Sequence, residues 1–119
     1  MASGGDEPRL TVAVSDERGR PLQPALGRWL ATVAPRRVRG VVHVALVGDA
    51  TVRRLNRRFR RQDKATDVLS FQSDAGAMLG RRRFLGDIVI ARGVTRRQAR
   101  RLGHSEATEL RVLALHGLL

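Results

Sequence analysis

Three histidines, two aspartates set in apolar runs and one dense stretch of arginines are the residues here whose side chains could do chemistry. A neutral imidazole can hold a metal ion, and near neutral pH it can also move a proton. A carboxylate can orient such an imidazole through a hydrogen bond. A guanidinium can grip a phosphate with parallel donors and steady charge that builds on it. His116 follows the apolar set Leu110, Leu113 and Ala114 and precedes Gly117, while His43 interrupts the apolar run Val41–Val47 and His104 stands just before Ser105. Asp67 and Asp87 lie in two further apolar stretches, and Arg53, Arg54, Arg57, Arg58, Arg60 and Arg61 crowd into nine residues. The sequence has no Cys, which removes disulfides and thiolate metal sites and fits a reducing compartment.

Each of these residues also has a plain structural reading. A lone His on an apolar helix is more often a partly buried structural residue than a ligand. His43 is expected to be a hydrogen-bonded core or edge residue, and His104 a structural or surface one. Most arginines of the dense stretch should simply be solvated. The total charge says more than any one of them. With 22 Arg and the single Lys64 against 11 acidic residues, the net charge is +12, a field that attracts polyanions. Nucleic acid, a ribosome surface or an anionic membrane are the partners that such a field favours. No apolar run is long enough to cross a bilayer, and the opening MASGGDEPRL carries no secretory pattern, so a cytoplasmic protein without a membrane partner is expected.

The elements that must position these residues follow from periodicity. Residues 1–8 are expected to be a flexible N-terminus, and 9–119 a single domain. Leu10, Val12 and Val14 alternate as a strand, and the spacing of Leu22, Leu26, Trp29, Leu30 and Val33 predicts a helix stopped by Pro35. Val41–Val47 reads as a strand covered on both faces, and Asp49 as the N-cap of the arginine-rich helix after it. Thr66–Phe71 and Phe84–Ala91 read as strands, Thr95–Leu102 as a short helix ended by Gly103, and Ser105 as the cap of a final helix. The order β-α-β-α-β-β-α-α predicts an α/β (α+β) domain: a mixed sheet of about four strands with helices packed on it.

Two stretches, Phe59-Arg60-Arg61-Gln62-Asp63-Lys64-Ala65-Thr66-Asp67-Val68-Leu69-Ser70-Phe71 and Leu85-Gly86-Asp87-Ile88-Val89-Ile90, resemble the patterns of the YbeY family of endoribonucleases. Gly103-His104-Ser105, Glu109-Leu110 and Leu115-His116-Gly117-Leu118-Leu119 continue the resemblance in the same order. It covers the chain from the first strand onward. Ala65 and Gln72 depart from it at positions where the family commonly has Pro, which affects loop geometry and removes no chemical group.

The resemblance implies a single-strand-specific, metal-dependent endoribonuclease of rRNA processing (16S rRNA 3′-end maturation) and ribosome biogenesis. Its partners would be RNA (rRNA) and the ribosome or its small subunit, with no small-molecule cofactor. In the family the last helix continues as H-G-x-L-H-L-x-G-x-D-H and supplies three His to one zinc ion. His116 matches the first of them, and the second would fall at position 120, beyond Leu119. The chain is therefore expected to stop inside its metal motif, to hold zinc poorly and to show little or no hydrolysis. Arg60 matches an Arg placed near the metal, where it would act in catalysis by holding the scissile phosphate. Arg57 and Arg61 are expected to contact the RNA backbone, and Asp67 and Asp87 to orient a His ligand or to hold a loop. The alternative is a non-catalytic RNA- or ribosome-binding module. A metalloprotease is disfavoured, because Gly117 stands where such enzymes keep a Glu.

Overall fold

The computed structural model describes residues 7–119. In chain order the elements are β1 (Leu10–Asp16), α1 (Pro24–Val33), β2 (Gly40–Val47), α2 (Asp49–Arg60), β3 (Val68–Gln72), β4 (Met78–Leu79), β5 (Arg82–Ala91), α3 (Arg92–Leu102) and α4 (Glu106–Leu118). Of the expected flexible stretch 1–8, residues 1–6 lie outside the described residues. Pro8 accepts a 2.7 Å hydrogen bond from Arg82, and Glu7 lies 4.0 Å from the same guanidinium.

The strands run in the order β1-β2-β5-β3, with β4 paired to β5. β1, β2 and β5 are mutually parallel, and β3 returns antiparallel along β5. The mixed sheet with packed helices thus forms as the element order predicts. β4 is the added feature: at two residues it is too short to leave a periodic signal, and it forms only as the return arm of a tight turn into β5.

Alternation along the strands divides the core between the two sheet faces. Val42, Val44 and Leu46 of β2 and Ile88 and Ile90 of β5 point toward α1 and α4, where Leu26, Leu30, Leu110 and Leu113 complete the larger cluster. On the other face Val47, Leu69, Val89 and Ala91 pack against Val52 and Leu55 of α2 and Val94 of α3. Among the described residues, no helix is long and apolar enough to cross a membrane.

Several charged side chains are used to finish helix ends. Arg9 donates to the carbonyls of Ala31, Ala34, Pro35 and Val38, closing the C-terminal end of α1. Asp49 differs from its expected role. Gly48 occupies the N-cap of α2, and the Asp49 carboxylate crosses to α3, accepting from Val94 N–H at 3.1 Å and from Arg97 at 2.8 Å. Glu17, from the turn after β1, takes the place that Asp49 leaves, accepting from Gly48 N–H at 3.0 Å and Thr51 Oγ1 at 2.8 Å. With its cap supplied from a distance, α3 starts at Arg92, three residues before the expected Thr95. Ser105 does cap α4, accepting from Thr108 N–H at 3.1 Å.

Candidate active site

α2 lies on one face of the sheet and α4 on the other, yet their C-terminal ends meet at the same place, the edge formed by β3. α2 stops because Arg61 turns left-handed (φ 57°), with its N–H bonded to the carbonyl of Asn56. Asn56 is buried, and its amide donates to Lys64 O at 2.9 Å, which folds the 61–66 loop back toward β3. Arg60, on the last turn, then lies along that strand. Its Nη2 donates to Ser70 O at 2.7 Å, and its guanidinium stands 5.6 Å from the centre of the Phe71 ring. The remaining donors of its five-donor fork stay available for an anion.

α4 reaches the same strand from the opposite face, and Gly117 is the reason it can come so close. A Cβ at this position would stand 2.7 Å from Ile88 Cγ2 and 3.1 Å from Ser70 Oγ. Ser70 Oγ donates to Gly117 O at 2.7 Å, satisfying a carbonyl of the last helical turn. Ser70 therefore holds both walls, Arg60 through its backbone and α4 through its side chain. Between them runs a cleft lined by Phe59, Arg60, Phe71, Gln72 and His116. His116 is exposed on its wall.

The other expected site residues do not line this cleft, although Asp87 lines an adjoining pocket that shares Ser70, Phe71, Gln72, Gly117 and Leu118 with it. Arg57 is 3.9 Å from Asp63 and faces a separate depression with Arg53, Arg54 and Lys64. Asp63 is taken up by a two-point pair with Arg53 at 2.8 and 3.1 Å, and those hydrogen bonds hold its carboxyl below the usual range. Arg61 is exposed just past the end of α2. Asp67 accepts from its neighbour Val68 N–H at 2.8 Å and from Gln98 at 3.3 Å; Gln98 also donates to the buried Glu109 at 2.9 Å, which meets His104 at 2.7 Å. Asp87 pairs with His43 Nδ1 at 3.1 Å, and His43 Nε2 lies 2.7 Å from Ser15 Oγ. That row has the order of a hydrolytic Ser-His-Asp relay, but Ser15 is only 6% exposed. The Ser15 hydroxyl is thus closed to a substrate, and the row ties β1, β2 and β5 together across the sheet.

Zinc needs three protein donors and an open fourth position for catalysis. Among the described residues, no three His, Asp or Glu gather as a metal-binding group, and His116 is the one imidazole in the cleft. These residues alone do not fit a catalytic zinc ion. Two lining residues, Ser70 and Phe59, carried no assigned role in the sequence. Ser70 had one available signal, a small hydroxyl between the apolar Leu69 and Phe71.

A family model described as "Endoribonuclease YbeY" matches residues 22–119. The chain is 42% identical over 98 residues to the Endoribonuclease YbeY of Solibacter usitatus, a match covering 82% of this chain and 62% of that relative. To the Endoribonuclease YbeY of Gloeobacter violaceus it is 49% identical over 117 residues, covering 92% and 59%. The chain thus spans about three fifths of the length of these relatives. The solution structure of TM1509 from Thermotoga maritima superposes with a TM-score of 0.62 at 24% identity, covering 92% of this chain and 69% of that one, and shares its fold. The strand-edge cleft with Arg60 and His116 on its walls lies within the matched span, and the chain belongs to the Endoribonuclease YbeY family.

Proposed function

We propose that these residues form the RNA-binding part, and one metal-ligand position, of a metal-dependent endoribonuclease that cuts single-stranded rRNA. The reading extends to a cytoplasmic role in 16S rRNA 3′-end maturation on the small ribosomal subunit. One observation carries it: Arg60 and His116 reach one cleft from opposite faces of the sheet, where Ser70 accepts from Arg60 and donates to Gly117, the residue after His116. A phosphodiester in this cleft would meet a guanidinium on one side and an imidazole on the other. Arg60 would hold the phosphate and steady the charge that develops as its bond breaks. The net charge of +12 would draw the polyanion in, and Arg57 and Arg61 would add backbone contacts near the end of α2. Asp67 and Asp87 would serve by fixing the loop before β3 and the strand beside it. Zinc is the metal proposed for the complete site. Since His116 stands alone among the described residues, no step is assigned to the ion here.

A second reading is a non-catalytic RNA- or ribosome-binding module, which needs only the net charge of +12 and the arginines beside the cleft. One experiment separates the two. The purified 119-residue chain should bind single-stranded RNA with strong salt dependence and leave it intact, with or without added zinc. A chain continued past Leu119 with the family's H-L-x-G-x-D-H should gain zinc-dependent cleavage that Arg60→Ala removes. If the extended chain binds zinc and RNA but never cuts, the nuclease reading fails and the binding module stands.

A further inference from the structure

Aromatic residues are scarce in this chain, with three Phe, one Trp and no Tyr. Two of those Phe, Phe59 and Phe71, line the single cleft that holds Arg60 and His116. Their rings meet edge to face, with centroids 5.5 Å apart and planes at 69°. Arg58 stands 5.2 Å from the centre of the Phe59 ring, and Arg60 5.6 Å from that of Phe71, so both rings carry a guanidinium partner. Even with Phe71 and Arg58 against it, Phe59 remains 55% exposed. An apolar ring left in water, beside cations and at the rim of an anion-binding cleft, has the composition of a surface for a flat, polarisable ligand on a phosphate chain.

We infer that Phe59 is a stacking platform for one unpaired nucleobase of the RNA, next to the phosphate held by Arg60. The inference rests on the RNA reading above and deepens it by naming a residue that selects for unpaired strands. A base within a duplex is already stacked on both faces and cannot lie on Phe59 without being pulled out. A base in a single strand can do so freely. Arg58 lies over part of the Phe59 ring and Phe71 meets it at 69°, so the base would stack on the ring surface that these two neighbours leave exposed. Stacking of this kind tolerates any base, so the platform selects for strandedness and not for sequence.

The test compares two labelled oligomers of equal length by fluorescence anisotropy at one salt concentration: a single-stranded RNA, and its abasic counterpart with the same number of phosphates. Their electrostatic attraction to the protein is matched, so a difference in affinity reports the bases. The wild-type chain should prefer the base-bearing oligomer by about tenfold. Phe59→Leu, which keeps an apolar side chain against Phe71, should lose that preference while binding the abasic oligomer as before. Phe59→Trp should retain the preference. If wild type binds both oligomers equally, or if Phe59→Leu keeps the preference, the platform is overturned while RNA binding stands. If wild type binds neither, the RNA reading falls and the platform falls with it.

Discussion

Charged side chains gather at both ends of α2 and are treated there in opposite ways. At its N-terminal end Glu17, Asp49 and Arg97 are all engaged, the first with Gly48 and Thr51, the second with Val94 and with Arg97. At its C-terminal end Arg60 gives one donor to Ser70 and keeps the rest facing a cleft, while His116 stands exposed across from it. The N-terminal end lies by the carboxyl ends of three parallel strands, a position where open α/β sheets often bind ligands. Here the chain's own carboxylates, Glu17 and Asp49, are taken up by Gly48, Thr51, Val94 and Arg97. Charge density therefore does not mark the site in this protein. What marks it, among the described residues, is charge left without an ion-pair partner beside a groove.

The difference between the two ends can be broken most strongly at Gly117. Gly117→Ala drives a methyl group into Ile88 and should destabilise the fold by about 2 kcal/mol in chemical denaturation. It should also disturb RNA binding, because it displaces the α4 wall. Next is Arg60→Ala, which should weaken single-stranded RNA binding by about tenfold with little loss of stability, whereas Arg57→Ala, beside Asp63, should weaken it only slightly. Equal effects of the two substitutions in a titration would erase the distinction between cleft and surface arginines.

At the other end of α2, Asp49→Ala removes a distant helix cap and should lower stability by about 1 kcal/mol while leaving RNA affinity unchanged. The same residue predicts a pH effect. Partial burial pushes the Asp49 carboxyl up, but the hydrogen bonds from Arg97 and Val94 outweigh it and hold the carboxyl below its ordinary value of 3.8. A depressed carboxylate stabilises the fold above that ordinary value, and the contribution fades as pH falls through the lower, folded-state value. Asp49→Asn should therefore flatten the loss of stability in the acid range, measured by denaturation at a series of pH values. The smallest effect is expected from Asp63→Asn, which frees Arg53 and Arg57 and should raise RNA affinity slightly.

The sequence made some of this legible and hid the rest for physical reasons. The larger core could be read because Val42, Val44, Leu46, Ile88 and Ile90 repeat at the period of a strand, and Leu26, Leu30, Leu110 and Leu113 at that of a helix. Arg60 and His116 stood out through motif resemblance, not through periodicity. The role of Asp49 was misread because a carboxylate in a helix's first turn looks like a cap for that helix. Its true acceptor geometry depends on α3, 45 residues away in sequence. β4 was invisible because its two residues pair only through a turn. Ser70 was present in the sequence as one letter of a motif, and only the crossing of two helices at the sheet edge shows what it holds.

Strand register gives Ser70 a further consequence. β3 pairs along only one side, with Ser70 opposite Ile88, so a one-residue slip against β5 would turn Ser70 away from α4 and present Leu69 or Phe71 to Gly117. Either is too large for the gap that Gly117 keeps open. A slipped strand would lose the α4 wall, although it could still offer Arg60 a backbone carbonyl. The cleft is thus a check on alignment: both walls can close on β3 in only one of the pairings that its edge position would otherwise allow.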